Sequence, residues 1–511
     1  MVSARALYDI LDQLLNTSHM DYCILGIDIG TTSVKASIIT TKNNQVEAHY
    51  VKDTQANIPP KTDFGENKQD VSKIISAMNF CVSKLPKPLL SQVSAIGICC
   101  QMHGVTCWTH TSKRQAWNIV EKDKNVRYDV IPENISPLYT WQDTRCDKSF
   151  LDRLPRPHSH INIATGYGIP TLFWLTKYES QLLKQFNCAG TIGDFVVAML
   201  CNLDKPVMSE QNAASWGYYN CLTGTWNTDI LTAYNFPMHL LPEVAPAGTT
   251  AGYLTENWHS IPAGTAIGVA MGDIQCSVLS SIQSNKDAIL NISTSAQITY
   301  VANKFQPTGG PPLPGPVEYI PYFNHTYVAI AASLNGGNCL ATFVKTLQQW
   351  ALELGYSVPQ SKVWDKVLYL ANEDTTNSDL KIRPTCLGER HNPEMKSSVY
   401  NITMNNLQLG TVFKSLCRGL IDNLHDMMPS RLLHEAKISR ILGNGKGLIR
   451  NPILQKSIEE VFQLPLELVP GGEAATGAAI AMSDVLEGSV SNLSRRSETG
   501  SQNKLTTDEY Y

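Results

Sequence analysis

Apolar positions along the chain switch repeatedly between a period of two and a helical period. Cys23 to Ile29 reads Cys-Ile-Leu-Gly-Ile-Asp-Ile, the pattern of a buried strand. It breaks at Gly30-Thr31-Thr32-Ser33 and resumes as a second apolar run from Val34 to Ile39. Lys42-Asn43-Asn44 predicts a tight turn into a third strand, Val46 to Val51. Lys73 to Val82 carries helical spacing, and Val93 to Cys100 is a short buried strand that ends in Gln101-Met102-His103-Gly104. Residues 110–137 lack a clear period and predict a loop or small insertion. Pro170 to Tyr178 and Gly193 to Leu200 predict helices.

The Pro- and Gly-rich piece from Pro246 to Pro262 predicts a boundary between two domains, 21–260 and 261–489. Beyond it, Thr265 to Ala270 predicts a strand leading into Met271-Gly272-Asp273. Ala288 to Ile292 predicts another, ending in Ser293-Thr294-Ser295. This repeats the order of the opening stretch, so each half is expected to hold the same sheet, with a ligand between the halves. Ala331 to Gly337 is expected to introduce a helix through Leu347. Residues 350–400 are weakly patterned, with 383–393 expected as a surface excursion. Gly410 to Met427 is strongly helical. Ile441 to Gly447 predicts a strand running into a glycine-rich loop, Asn451-Pro452 starts a helix, and Gly472-Glu473-Ala474-Ala475 opens one with a face of small residues.

Composition narrows the classes of function. At 511 residues the chain is long for one core, which favours two domains of roughly 220 to 250 residues. A net charge of −4 supplies no broad field for nucleic acid or membrane, so an anionic ligand must be held by local donors or metal. The 13 cysteines are scattered without C-x-x-C spacing, against a zinc site and for a reducing compartment. No run reaches the ~18 apolar residues needed to span a bilayer, and a soluble, cytoplasmic protein is expected. Residues 1–20 read as a loosely attached helical extension and 490–511 as a polar tail.

Three stretches carry candidate chemistry. Asp28, ahead of Gly30-Thr31-Thr32, is either a carboxylate that holds a metal beside a phosphate-binding turn or the cap of an ordinary β-turn. Trp141-Gln142-Asp143-Thr144-Arg145 mixes an indole, an amide, a carboxylate and a guanidinium. That is the mixture that lines a polyol site, with a surface Asp143–Arg145 pair as the alternative. His103, at a strand end before glycine, is either a ligand-facing or a core histidine.

Together these segments resemble the FGGY family of carbohydrate kinases over roughly Asp21 to Gly488. The resemblance rests on Gln101-Met-His-Gly104, Trp141-Gln-Asp-Thr-Arg-Cys146, Gly193 to Leu200, Gln211-Asn-Ala-Ala-Ser-Trp-Gly217 and Ala332-Ser-Leu-Asn-Gly-Gly337. It implies an α/β fold of duplicated actin-like ATPase (ribonuclease H-like) domains with mixed sheets and a central cleft. It also implies ATP and Mg²⁺ as cofactors and a small-molecule ketose as substrate, phosphorylated at its terminal hydroxyl. Sedoheptulose is the acceptor expected; a xylulose- or ribulose-type pentulose, or a silent sugar or nucleotide sensor, is the alternative.

Carried over by motif, Asp273 is the catalytic base, and Asp28 and Asp273 lie on the Mg²⁺ side, one in each half. Gly30, Thr31, Thr32 and Lys35 form one phosphate segment; Ser293, Thr294 and Ser295 form the other, with Ser293 where the family usually has glycine. Lys35 is equally open to reading as a solvent-facing strand lysine. Gly443, Gly445, Asn451, Gly472 and Ala475 fall on the adenosine side. Gln101, Met102, His103, Trp141, Asp143 and Asp273 fall at sugar positions. The resemblance leaves monomer and homodimer both open.

Overall fold

The computed structural model describes residues 22–42, 44–60, 65–122, 125–376, 378–470 and 472–483. The expected extension at 1–20 and tail at 490–511 lie outside the described residues. The chain divides into two compact units. The first runs to Ser280 and also takes Thr308–Pro311 and the chain from Glu473; the second comprises Ser281–Pro307 and Pro312–Gly472.

The first unit is built on a seven-stranded mixed sheet. Its strands are β1 (Cys23–Ile29), β2 (Ser33–Thr40), β3 (Val46–Asp53), β4 (Val93–Cys100), β5 (Thr250–Tyr253), β6 (Ala266–Gly268) and β7 (Met271–Gly272), in the order β5-β6-β4-β1-β2-β3 with β7 also on β4. β1 lies between antiparallel β2 and parallel β4 and is buried along its whole length, so both faces of the strand are covered. β3 closes one edge with the mostly exposed, charge-bearing Val-Glu-Ala-His-Tyr-Val-Lys-Asp. Helix α1 (Val71–Ser83) is capped by Asp70, which accepts from Ser72 N–H, and packs Ile74, Met78 and Val82 onto one face of the sheet. The other face receives a helix over 474–483. Gly26 and Gly97 let its backbone touch the strands, since a Cβ at either would overlap the carbonyl oxygens of Ala475 and Ala478.

Two expectations shift here. The division between units falls after Ser280, not at 260, because the short strands β6 and β7 take β4 as their parallel partner and extend the first sheet. Asp273 therefore stands in the same unit as Asp28. Residues 110–137 are not a loop: Trp117–Lys122 and Asn125–Val130 pair as an antiparallel hairpin. Its Ile119 and Val120 are both exposed, which blurs the alternation that announces a strand.

The second unit holds a six-stranded sheet of β8 (Asp287–Ile292), β9 (Ala296–Val301), β10 (Val317–Pro321), β11 (Tyr327–Ser333), β12 (Arg440–Asn444) and β13 (Leu466–Leu468), ordered β10-β11-β9-β8-β12-β13. β8 pairs antiparallel with β9 and parallel with β12, the arrangement of β1 with β2 and β4. The expected repeat is thus present in the sheets, and Asn291 holds in β8 the place that Asp28 holds in β1. The expected helix through Leu347 is present: Ala331 to Ser333 complete β11, and helix α4 starts at Gly337 and runs to Glu353.

Residues 350–400 supply helix α5 (Gln360–Glu373), packed on the amphipathic α6 (Leu409–Met427), and a small ladder of Lys381–Arg383 with Ser398–Tyr400. Their 383–393 portion is no plain surface excursion, since Thr385 and Glu389 are fully buried. Helix α7 (Pro452–Phe462) follows β12. Among the described residues no helix is long and apolar enough to cross a membrane.

Candidate active site

Asp28 and Lys35 are direct partners in the antiparallel β1–β2 register, so both side chains leave the same face of the hairpin. Lys35 Nζ lies 3.2 Å from Asp28 Oδ2 and 3.8 Å from Glu473 Oε2. Cys99, the parallel neighbour of Asp28, directs its Sγ to Ala474 O at 3.4 Å. Burial raises the Asp28 carboxyl above its usual range, with the Lys35 ammonium pulling the other way. On Lys35 burial acts downward, but the charges of Asp28 and Glu473 outweigh it and its pKa rises. Lys35 is therefore not a bystander on the strand; it is the fixed cation beside the buried carboxylate.

Asp273 opens helix α3 (Asp273–Ser281) directly after β7, and its Oδ1 accepts the Ile274 N–H at 2.8 Å. Burial, then the charge of Asp28, pushes its carboxyl up to about 7. The strand end is held from helix α2 (Glu210–Trp216). Gln211 Oε1 accepts Gly272 N–H at 3.1 Å, and Asn212 Nδ2 donates to Ala270 O at 3.0 Å. A Cβ at position 272 would meet Gln275 Oε1 at 2.1 Å and Met102 Sδ at 2.8 Å, so the 102 and 272 segments and Gln275 pack closely around this glycine. Among the described residues no cluster of three His, Cys, Asp or Glu could hold a metal. A buried carboxyl at Asp273 that the charge of Asp28 raises further suits a hard cation that takes its remaining ligands from phosphate oxygens and water.

The residues expected at sugar and phosphate positions meet at Thr31. Trp141 Nε1 donates to Thr31 Oγ1 at 3.0 Å, and that hydroxyl approaches Gln101 Oε1 at 3.5 Å. Gln69 Nε2 donates to Thr31 O at 2.6 Å while its Oε1 accepts from Gln101 Nε2 at 3.0 Å. Gly30 N–H closes the turn onto Ser33 O at 3.0 Å, and Thr32 O accepts Thr54 N–H at 2.9 Å. His103 adopts φ +73°, stacks on Tyr167 with centroids 4.5 Å apart, and its Nδ1 lies 2.9 Å from Ser215 O. A carbonyl only accepts, so Nδ1 carries the proton.

Asp143 is placed differently from expectation. It is buried, and its oxygens take Arg145 Nε at 2.7 Å, Arg145 Nη2 at 2.9 Å and Asn67 N–H at 3.0 Å. The guanidinium lies over Tyr139 and Trp174, 4.5 and 4.8 Å from the ring centres. The Asp143–Arg145 pair is thus neither on the surface nor free for a sugar; it braces the loop that presents Trp141.

In the second unit Ser293-Thr294-Ser295 is an exposed turn closed by Ser293 N–H onto Ser295 O at 2.9 Å. Gly445, at φ +97°, leaves no room for a Cβ against Ile292 O, so the loop after Gly443 runs beside this turn. Gly472 is partly exposed. Two expected nucleotide residues are spent on scaffold. Asn451 is buried and caps α7, accepting Ile453 and Leu454 N–H at 3.1 and 3.2 Å. Ala475 is fully buried against Gly26 in the first unit. Sequence reasoning assigned no role to Gln69, Gln211 or Glu473. Gln211 stands inside a quoted motif and Glu473 at the start of the small-residue helix; Gln69 carries no local signal.

The family model described as the FGGY family of carbohydrate kinases, N-terminal domain, matches residues 23–280. The chain belongs to the FGGY family of carbohydrate kinases. It is 44% identical over 467 residues to the sedoheptulokinase of Homo sapiens, covering 90% of this chain and 96% of that protein. The Mus musculus sedoheptulokinase is 43% identical over 465 residues, with 90% and 96% covered. Among solved structures, the gluconate kinase from Lactobacillus acidophilus superposes with a TM-score of 0.71 at 19% identity, over 92% of this chain and 90% of that one. This FGGY chain is accordingly an ATP-dependent carbohydrate kinase of the α/β sugar-kinase fold.

Proposed function

We propose that the chain transfers the γ-phosphoryl group of ATP to the terminal hydroxyl of sedoheptulose, giving sedoheptulose 7-phosphate and ADP. The acceptor is supported by the 44% identity that spans 96% of a sedoheptulokinase. The chemistry is supported by Asp273, whose carboxyl titrates at about 7 beside the Asp28–Lys35 pair. An acid of that strength is ionised enough near neutrality to take a hydroxyl proton and basic enough to hold it. Asp273 receives the proton as O7 bonds to the γ-phosphorus, and the β,γ-bridging oxygen leaves with ADP.

Mg²⁺, when bound near Asp28 and Asp273, spreads the charge of the phosphate oxygens. Lys35 and the Gly30-Thr31-Thr32 turn offer cationic, N–H and hydroxyl donors to phosphate, as do Ser293, Thr294 and Ser295. Gly443, Gly445 and Gly472 let the nucleotide approach backbone closely. Gln101, His103 and Trp141 orient the sugar, buried Met102 adjoins Gly272 ahead of Asp273, and Asp143 acts through Arg145. All 13 cysteines are free and 11 of them buried, which suits a reducing cytoplasm.

The test is a panel of five- and seven-carbon ketoses with ATP and Mg²⁺, the phosphate position being read by NMR. We expect the 7-phosphate, and a kcat/KM for the heptulose at least about tenfold above any pentulose. A pentulose preference overturns the assignment of the acceptor.

A further inference from the structure

Glu389 is fully buried, yet among the described residues none of the ion pairs includes it. Four donors converge on it instead. Its Oε1 accepts from Ser333 Oγ at 2.6 Å, Asn335 Nδ2 at 2.9 Å and Asn423 Nδ2 at 2.8 Å, and its Oε2 accepts Leu334 N–H at 3.1 Å. Asn335 locks the same loop a second time, donating to Gly388 O at 2.9 Å and accepting Leu387 N–H at 3.1 Å. A carboxyl is an expensive group to bury, and packing alone would be served by an apolar side chain. What the carboxyl adds is direction: it fixes the end of β11 and residues 334–335 to α6 through Asn423.

The segment so fixed is the one that supports the 293–295 turn. Gly337 N–H donates to Ser293 O and Asn338 N–H to Thr294 O, each at 3.0 Å. A Cβ at Gly336 or Gly337 would overlap the backbone of Ser295 or Ser293, so the two segments touch with no slack. A displacement of 333–335 therefore passes into the turn rather than being absorbed.

We infer that Glu389 is a positioning residue for nucleotide binding, clamping 333–335 so that Gly336-Gly337-Asn338 hold the Ser293–Ser295 turn in its phosphate-binding shape. This rests on the reading of that turn as a phosphate segment. Sequence pattern could not reveal it, since Glu389 acts on residues more than fifty positions away.

The test is Glu389→Gln, which keeps the volume but turns an NH₂ group toward donors. The KM for ATP should rise about five- to thirtyfold while the KM for the ketose stays within about twofold. Asn423→Ala, which removes one donor from outside the loop, should give a smaller rise of the same kind and covers the case in which Glu389→Gln fails to fold. An unchanged ATP KM in the folded variants, or ATP and ketose KM rising together, overturns the inference. Thr294→Ala separates the two layers. A raised ATP KM in Thr294→Ala but not in Glu389→Gln removes only the role of Glu389; no rise in either removes the reading of the turn as well.

Discussion

Lys35 stands directly across the β1–β2 ladder from Asp28, with its ammonium 3.2 Å from the carboxylate. One partner is buried and the other about a third exposed. The pair gives the first unit a built-in cation where phosphate and metal are proposed to meet. Its balance sets what happens when either member is removed.

Lys35→Met leaves a buried carboxylate without its counter-charge and should cost about 1 to 3 kcal/mol in urea unfolding, less than a fully buried pair because Lys35 reaches solvent. Asp28→Asn in the same background should recover part of that loss, since the stranded charge is gone. Additive losses in the double variant would show that the two side chains do not act as a pair.

Asp273→Asn should lower kcat by about two to four orders of magnitude with the fold retained. The wild-type kcat/KM should climb with pH and level off above the carboxyl's value of about 7. Folding holds this proton more tightly than the unfolded chain does, so the ionised carboxyl weakens the fold as pH rises from about 4 through about 7. The Asn variant escapes that penalty. Its Tm should exceed wild type at about pH 8, and the gap should close toward about pH 4. An equal gap at both ends would remove Asp273 as its source.

Arg145→Lys keeps the charge but loses the two-pronged bond to Asp143 and the stacking on Tyr139 and Trp174. We expect a loss of about 2 to 3 kcal/mol by denaturant melts, together with a raised ketose KM because Trp141 sits on the braced loop. A stability loss with ketose KM untouched would confine this pair to scaffolding.

Gly26→Ala places a methyl group onto the Ala475 carbonyl. Backbone cannot swing aside as a side chain can, and the cost should reach about 3 kcal/mol or prevent folding. The same change at Gly264, where nothing lies near the added carbon, should cost only the strain of its φ of +88°. Thermal melts of the two variants make the comparison.

Strand, turn and helix order were largely legible because burial imposes a period on the chain, and β1, β8 and α6 each carry theirs cleanly. Asp28 and Asp273 stand out in the sequence because each sits at a strand end close to glycine, and the family resemblance proposes both for the site. The partners do not stand out. Asp143 looks like a sugar ligand until Arg145 and Asn67 are seen to fill its oxygens. Asn451 looks like a loop ligand until its side chain turns onto its own helix. Ala475 belongs to a small-residue face whose use, against Gly26, depends on a strand at the far end of the sequence. A local window reports backbone state and misses contacts that only the folded chain creates.

The helix over 474–483 sets an order on synthesis. Cys99 Sγ reaches the Ala474 carbonyl across 375 positions of chain, and Gly26 and Gly97 stay bare until that helix arrives. A ribosome delivers the first sheet before the second unit and its back cover after it. The strand that carries Asp28 must therefore wait through translation of the entire second unit with one apolar face open. Contacts this distant in sequence are slow to close. A chain shortened before residue 473 should leave that apolar face uncovered and lose the cooperative thermal melt of the first unit.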